Sequence, residues 1–379
     1  MKSSPPKVLH CVERMHTNSI ESWLARMHRH ALLTGRAVDW HFHVQLSEPG
    51  RLETTYPECS SRIIRSPCQL SDWFGFFLAF GRLCQAEKFD VVHVHADLMS
   101  APYAAAARFA GVRRLIVHVH NADESVLTPN RVKQSVLRPL MRRACLAMAD
   151  RIVGISNHTL DTFLAGRPRQ AKRDVVHYYG VDSRAFDAVT ADRAGFRRRL
   201  DLPDDALILF FGGRLVPEKN PVFAVDVLAN LRCIESRAVA VFAGAGSQEP
   251  EVLARARKLG VEDSVRMIGW QNDLPEIMSC CDWFILPHPE HPVEGFGLAI
   301  VEAQLAGLRM LLSLGVLDDP LLPTASFRRL ALGDGPKAWA DAAMDLLHRV
   351  PSRAAAVAAL KESPMDMDRA LEELLELHA

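Results

Sequence analysis

The sequence predicts an α/β protein made of two doubly wound, parallel-sheet domains. Three observations carry this. The chain has 379 residues, 49% of them hydrophobic, which suits a large core and exceeds one ordinary domain. Short apolar, β-branched runs alternate with longer stretches of helical periodicity, the pattern of parallel βαβ units. A polar stretch from Gly180 to Asp205, rich in Asp and Arg, interrupts the series, which then begins again.

Strands in the first half are expected over Val8 to Val12, Trp40 to Gln45, Val91 to His95, Leu115 to His120, Arg151 to Ser156 and Val175 to Tyr179. Helical patterns separate them at Asn18 to Leu33, Ser71 to Glu87, Ala101 to Ala110 and Val132 to Ala149. The second series has strands at Leu207 to Phe211, Val239 to Phe242, Val265 to Ile268, Trp283 to Leu286 and Met310 to Ser313. Its helices fall near Val222 to Leu231, Pro250 to Leu259, Leu274 to Cys281 and Leu298 to Ala306, and the Ala/Leu-rich stretch Lys337 to Ala379 is helical. The expected division is residues 1–185, residues 186–362, and a helix over 363–379 returning towards the first domain. Ligands of such sheets bind beyond the carboxyl ends of the strands, so the two domains are expected to face a central cleft.

Composition narrows the function classes. No apolar run reaches the roughly 18 to 20 residues of a membrane span, and Met1 to Lys7 lacks an apolar core with a cleavage site, so the expected location is cytoplasmic. Eight scattered cysteines with no CxxC pair point to reduced core thiols rather than a zinc cluster or disulfide framework. The net charge of zero hides an asymmetry: residues 1–190 hold 25 Lys and Arg against 17 Asp and Glu. A neutral protein is a poor nucleic-acid binder, whereas a basic first domain suits a phosphate or a membrane surface.

The chemistry concentrates in two stretches. In Phe210-Phe211-Gly212-Gly213-Arg214-Leu215-Val216-Pro217-Glu218-Lys219-Asn220-Pro221, glycines end a buried strand, two cations follow five residues apart, and a proline opens a helix. That spacing gathers Arg214, Lys219 and a helix N-terminus around one point, a setting that neutralises a diphosphate without a metal ion. In Pro292-Val293-Glu294-Gly295-Phe296-Gly297-Leu298, proline and glycines hold Glu294 in a loop, and Gly295 and Gly297 let a ligand approach backbone N–H groups. Glu302 follows about five residues into the next helix, some 7 Å along its axis, so the two carboxylates read as separate acceptors on an elongated ligand. Taken alone, Glu302 is an ordinary helix-face residue and Glu294 a first-turn acid.

With Phe242 to Gly246, Val265 to Trp270, Asp273 to Met278 and Cys281 to Pro287, these stretches form an ordered set of about 110 residues. The set resembles the retaining GT-B glycosyltransferases of family 4, particularly the bacterial capsule and exopolysaccharide type. Glu294 and Glu302 match the family's E-x7-E signature. The resemblance implies a GT-B fold of two Rossmann-like domains, the first on the acceptor side and the second binding a nucleoside-diphosphate sugar. It implies that Arg214 and Lys219 hold the donor diphosphate, Glu294 the sugar hydroxyls and Glu302 the ribose. Gly213, Gly295, Phe296, Gly297 and Leu298 would line the donor, and Trp270 would border the base. On the acceptor side, His120 would face the anomeric carbon, with Asn18, His95 and Asn121 near it; His93 reads as a structural, hydrogen-bonded histidine. The resemblance also implies a UDP- or GDP-sugar as donor, no obligatory metal, and a saccharide acceptor, expected on a lipid diphosphate.

Two departures stand out. Met15-His16-Thr17-Asn18-Ser19 replaces the family's glycine-rich loop, and Asn18 with Glu21 reads as a helix cap. Tyr179 stands where Asn is commoner before Gly180. Asp366-Met367-Asp368 looks like a metal-binding D-x-D, but its place after Pro364 reads as helix-start acids. The aromatic run Trp73 to Phe80, with Arg138, Arg142 and Arg143, reads either as a core helix with a solvated face or as a patch for the inner membrane. Two rivals share this scaffold: a sugar-nucleotide 2-epimerase, which needs no acceptor, and a non-catalytic sugar-nucleotide-binding subunit of a transferase complex.

Overall fold

The computed structural model describes residues 4–16, 19–46, 48–121, 133–187, 189–271, 273–291 and 293–379. The chain forms two compact units: residues up to Gly180 together with Met367–Ala379, and Val181–Asp366.

The first unit runs β1 (Lys7–Val12), α1 (Ser19–Leu33), β2 (Asp39–Val44), α2 (Arg51–Thr55), α3 (Pro57–Ser60), β3 (Ile63–Arg65), α4 (Trp73–Glu87), β4 (Val91–Val94), α5 (Ser100–Phe109), β5 (Arg114–Val119), α6 (Arg138–Met148), β6 (Arg151–Gly154), α7 (Asn157–Leu164) and β7 (Asp174–Val176). Its seven strands are all parallel, in the order β3-β2-β1-β4-β5-β6-β7. Strand order reverses between β1 and β4, which makes that edge the unit's switch point. β4 is buried along its whole length, as a strand covered on both faces must be. On one face Phe76, Phe80, Tyr103 and Leu115 form the core under α4 and α5.

The second unit runs α8 (Arg184–Asp187), α9 (Arg193–Arg199), β8 (Leu207–Gly212), α10 (Pro221–Ile234), β9 (Ala238–Ala243), α11 (Glu249–Lys258), β10 (Val265–Gly269), α12 (Leu274–Ser279), β11 (Trp283–Leu286), α13 (Leu298–Leu305), β12 (Arg309–Ser313), β13 (Phe327–Leu330), α14 (Gly335–Leu347) and α15 (Arg353–Glu362). Its six parallel strands lie in the order β10-β9-β8-β11-β12-β13, with the switch point between β8 and β11. The indole of Trp283 is fully buried and donates to the Ala343 carbonyl at 2.8 Å, tying β11 to α14.

The last helix, α16 (Met367–His378), belongs to the first unit and packs on α1. Asp368 in its first turn accepts from His30 Nε2 at 2.6 Å, which gives that acid a local partner. The unit boundaries fall a few residues from 185 and 362 for local reasons. A Cβ at Gly180 would sit 2.9 Å from Ala370, so α16 is packed against the chain there. Val181 N–H instead donates to the Met365 carbonyl, inside the second unit.

The C-terminal stretch is helical as expected, in three helices, because Pro351 and Pro364 each lie between helices and cannot continue them. Two expectations need correction. Two edge strands, β3 and β13, carry no apolar run and were not expected. The helix expected from Val132 is a π turn over Lys133–Leu137 followed by α6, with Pro139 in the first turn of α6; Val132 itself lies outside the described residues. Six of the eight cysteines are buried free thiols, Cys68 is half-buried and Cys233 is exposed.

Candidate functional site

At the switch point of the second unit, β8 delivers a glycine turn laid directly on a neighbouring loop. Gly213 N–H donates to the Ala243 carbonyl at 2.9 Å and Leu215 N–H to the Ala245 carbonyl at 3.0 Å. A Cβ at Gly244 would fall 1.9 Å from the Gly213 carbonyl oxygen, so only glycine lets the two backbones meet. Arg214 leaves this turn exposed. One 3-10 turn, Pro217–Lys219, follows, and Asn220 at φ +51° turns the chain into α10 at Pro221. Lys219 therefore sits just before a helix N-terminus, as the spacing predicts.

From the other side of the switch point, β11 leads through Pro287 to His288 and then Glu294. The Glu294 N–H donates to the Gly315 carbonyl at 2.9 Å. Gly315 is itself pressed on this loop, since a Cβ there would lie 1.9 Å from the Pro289 oxygen. The Glu294 carboxylate accepts from Lys219 Nζ. His288 Nδ1 donates to the Pro289 carbonyl at 3.0 Å, and its Nε2 lies 3.7 Å from the Glu294 carboxylate. Burial pushes the Glu294 pKa up, but Lys219, His288 and Arg214 together outweigh it and hold the carboxyl below its usual range. Burial keeps His288 below the ordinary histidine value.

Gly297, at φ +82°, caps α13, and a Cβ there would lie 2.7 Å from Ile300 Cδ1. Phe296 is buried beneath the loop, and Gly295 and Leu298 are half-buried. Glu302, on the first turns of α13, is 8% exposed, so the helix-face reading is replaced by a buried carboxylate. Trp270 follows β10 and is half-buried. Arg214, Lys219 and Glu294 thus share one electrostatic neighbourhood, at the strand-end crevice where such sheets bind ligands. Its cations can take a diphosphate, and its carboxylate can accept from hydroxyls.

In the first unit, His95 and His120 lie just past β4 and β5, both buried. His120 Nε2 meets His95 Nδ1 at 2.9 Å, and His120 Nδ1 meets the Tyr179 hydroxyl at 2.7 Å, so both ring nitrogens are engaged. Burial lowers the His120 pKa to about 3. The half-buried Asp97 accepts from the backbone N–H of His120 at 2.7 Å and from the Asn121 side chain at 2.9 Å, fixing the loop that carries both residues. Asn121 is exposed. His93 bonds His378 at 3.0 Å and His118 at 3.2 Å, a structural role as expected. Asn18 lies outside the described residues.

Sequence reasoning missed His288, although its place two residues past β11 is the strand-end signal that singled out His120. It also gave Tyr179 no role, and nothing local to Tyr179 reveals a bond across 59 positions.

Residues 192–314 match the family described as glycosyl transferases group 1, and residues 12–179 match the glycosyl transferase 4-like domain. The chain is 26% identical over 347 residues to the putative glycosyltransferase EpsF of Bacillus subtilis, covering 90% of this chain and 88% of that one. It is 26% identical over 239 residues to the UDP-Gal:alpha-D-GlcNAc-diphosphoundecaprenol alpha-1,3-galactosyltransferase of Escherichia coli, covering 61% of this chain and 59% of that enzyme. Among solved structures, Anabaena HepE in complex with UDP superposes with a TM-score of 0.77 at 18% identity over 98% of both chains, a likeness of fold.

Proposed function

The chain belongs to the family 4-like glycosyltransferases of the GT-B fold, and from that premise we propose that it moves a sugar from a UDP- or GDP-sugar to a lipid-linked saccharide, with retention at the anomeric carbon, in cell-surface polysaccharide synthesis. The observation that carries this reading is the Lys219–Glu294 pair beside Arg214 at the switch point of the second sheet. The HepE complex with UDP supports a uridine donor, and the name of the Escherichia coli relative supports a diphosphate-linked acceptor.

In the free chain the Lys219 ammonium and the Glu294 carboxylate neutralise each other. An arriving donor diphosphate offers Lys219 a stronger anion, and Glu294 is released to accept from sugar hydroxyls. Arg214, exposed beside it, supplies the bidentate contact. As the glycosidic bond breaks, these cations and the α10 N-terminus stabilise charge on the departing phosphate without a metal ion. The acceptor hydroxyl attacks on the same face and gives its proton to that phosphate.

The first unit supplies a reason for a membrane-proximal acceptor. Trp73 and Phe74 on α4 are 69% and 57% exposed, and Phe109 at the end of α5 is 74% exposed and 5.4 Å from Phe77. Phe76 and Phe80 of the same run are buried, so the helix serves the core with one face and carries aromatics outward on the other. No helix among the described residues is long and apolar enough to cross a membrane.

The test is product analysis with UDP- and GDP-sugars, with and without undecaprenyl-diphosphate saccharides, in the presence of a chelator. The reading requires transfer only when acceptor is present and an axial-to-axial or equatorial-to-equatorial outcome by NMR. Donor rearranged without acceptor identifies an epimerase instead, and UDP binding with no turnover on any acceptor identifies a non-catalytic subunit.

A further inference from the structure

Among its described residues the first unit buries ten histidines, each 5% exposed or less, and seven of them, His10, His93, His95, His118, His120, His177 and His378, lie ring against ring in one cluster. Five lie on or just past β1, β4 and β5, around the sheet's own switch point. None is used by the proposed donor chemistry of the second unit. So dense a set of imidazoles away from water needs a reason, because every ring has a donor and an acceptor to satisfy.

Hydrogen bonds between the rings satisfy only part of the set. Tyr179, His120, His95 and His10 form one chain, and His378, His93 and His118 a second. His118 Nε2, His10 Nε2 and His378 Nδ1 remain buried without a hydrogen-bond partner among the described residues. His118 and His120 stack at 4.3 Å, and His95 lies 5.1 Å from His118 and 5.2 Å from His120. One ligand nitrogen from each of His95, His118 and His120 lies within 4.8 Å of the others. We propose that His95, His118 and His120 form a binding site for a divalent transition metal of the zinc class, seated at the carboxyl edge of β4 and β5.

The outer shell of this site is already in place. A ligating imidazole holds its second nitrogen as a donor to a fixed neighbour, which sets the tautomer. His95 Nε2 faces His10 Nδ1 at 3.0 Å, and His120 Nδ1 faces the Tyr179 hydroxyl at 2.7 Å. His95 Nδ1 and His120 Nε2 lie 2.9 Å apart and share one proton in the metal-free chain; with both N–H groups turned outward to His10 and Tyr179, the two lone pairs become available to one cation. His118 adds the third imidazole, held by His93 on one side. Burial keeps all three rings neutral, the form that ligates. An all-imidazole set without a thiolate or carboxylate favours zinc, copper or nickel over magnesium or calcium, and three ligands leave a fourth position for water. In the alternative triad, His10, His93 and His95, both ring nitrogens of His93 bond histidines outside the triad, His378 and His118, which makes it the poorer site.

The test uses the full chain without a polyhistidine tag, stripped with chelator and titrated with Co2+ and then Zn2+. The proposal expects one Co2+ per chain with the intense visible absorbance of tetrahedral coordination, bleached by one equivalent of Zn2+. His95→Gln and His118→Gln should each weaken uptake by about 100-fold or more, while His43→Gln, at a buried histidine packed against Phe80 and Tyr103 elsewhere in this unit, should leave it unchanged. X-ray absorption on the Zn2+-loaded wild-type chain needs no variant, and should show three imidazole ligands and no sulfur. Absent stoichiometric uptake, uptake that survives loss of His95 and His118, or a sulfur-containing shell would each overturn the assignment.

Discussion

At the residue scale the chemistry turns on Glu294, a half-buried carboxylate kept ionised by Lys219, His288 and Arg214. Because its folded pKa lies below the unfolded value, its contribution to stability is present above the ordinary carboxylate range and is lost only as pH falls through the depressed value. Glu294→Gln removes that charge while leaving the Lys219 ammonium without its partner. We expect donor turnover to fall about 10²- to 10³-fold, the usual cost of one preorganised polar contact in a dry site, with the fold intact by circular dichroism. Turnover within a few-fold of wild type would show that Glu294 does not meet the transferred sugar.

At the scale of elements, the second unit's site is made by glycine turns that admit no side chain. Gly297→Ala forces a Cβ into the α13 cap at φ +82° and against Ile300, and we expect a loss of about 1 kcal/mol or more in denaturant unfolding. An unchanged midpoint would mean that the cap relaxes freely. The same physics explains what could be read in advance. Strands such as Trp283 to Leu286, buried at every position, announce themselves as apolar runs, and the residues after them are placed by the strand-end rule. β3 and β13 escaped because each is a half-buried edge strand carrying arginine, with neither alternation nor an apolar run to report it. Lys219 and Glu294 were each legible from their own motifs, whereas their direct pairing spans 75 positions and depends on which strands adjoin. The histidine chains were invisible for the same reason: His10, His93 and His118 meet only because β1, β4 and β5 are neighbours, and His378 arrives on the last helix.

At the scale of the whole molecule, the buried histidines couple stability to pH. His10, His93, His95 and His118 are held well below the ordinary value by burial, His120 and His378 are lowered to about 3, and His177 to about 4. Between about pH 6.5 and pH 4 the unfolded chain therefore binds protons that the folded chain refuses, and stability falls as pH falls. Each such histidine adds up to about 1.4 kcal/mol per pH unit to the slope, so the melting temperature of the metal-free chain should drop steeply below pH 6.5. A flat profile between pH 7 and 5 would contradict the burial of this cluster. The exposed aromatics of α4 and α5 predict a second whole-molecule behaviour, flotation with anionic liposomes. Binding should weaken in Trp73→Ala combined with Phe74→Ala, and recovery of the wild-type chain in the unbound fraction at both low and high salt would remove the membrane from the account.

The central claim, that Arg214 and Lys219 grip the donor diphosphate, is tested most directly by calorimetric titration of UDP into the wild-type, Arg214→Ala and Lys219→Ala chains. Each substitution should weaken binding by about 10- to 100-fold, the worth of a hydrogen bond to a charged group. Affinities within about twofold of wild type for both variants would contradict it.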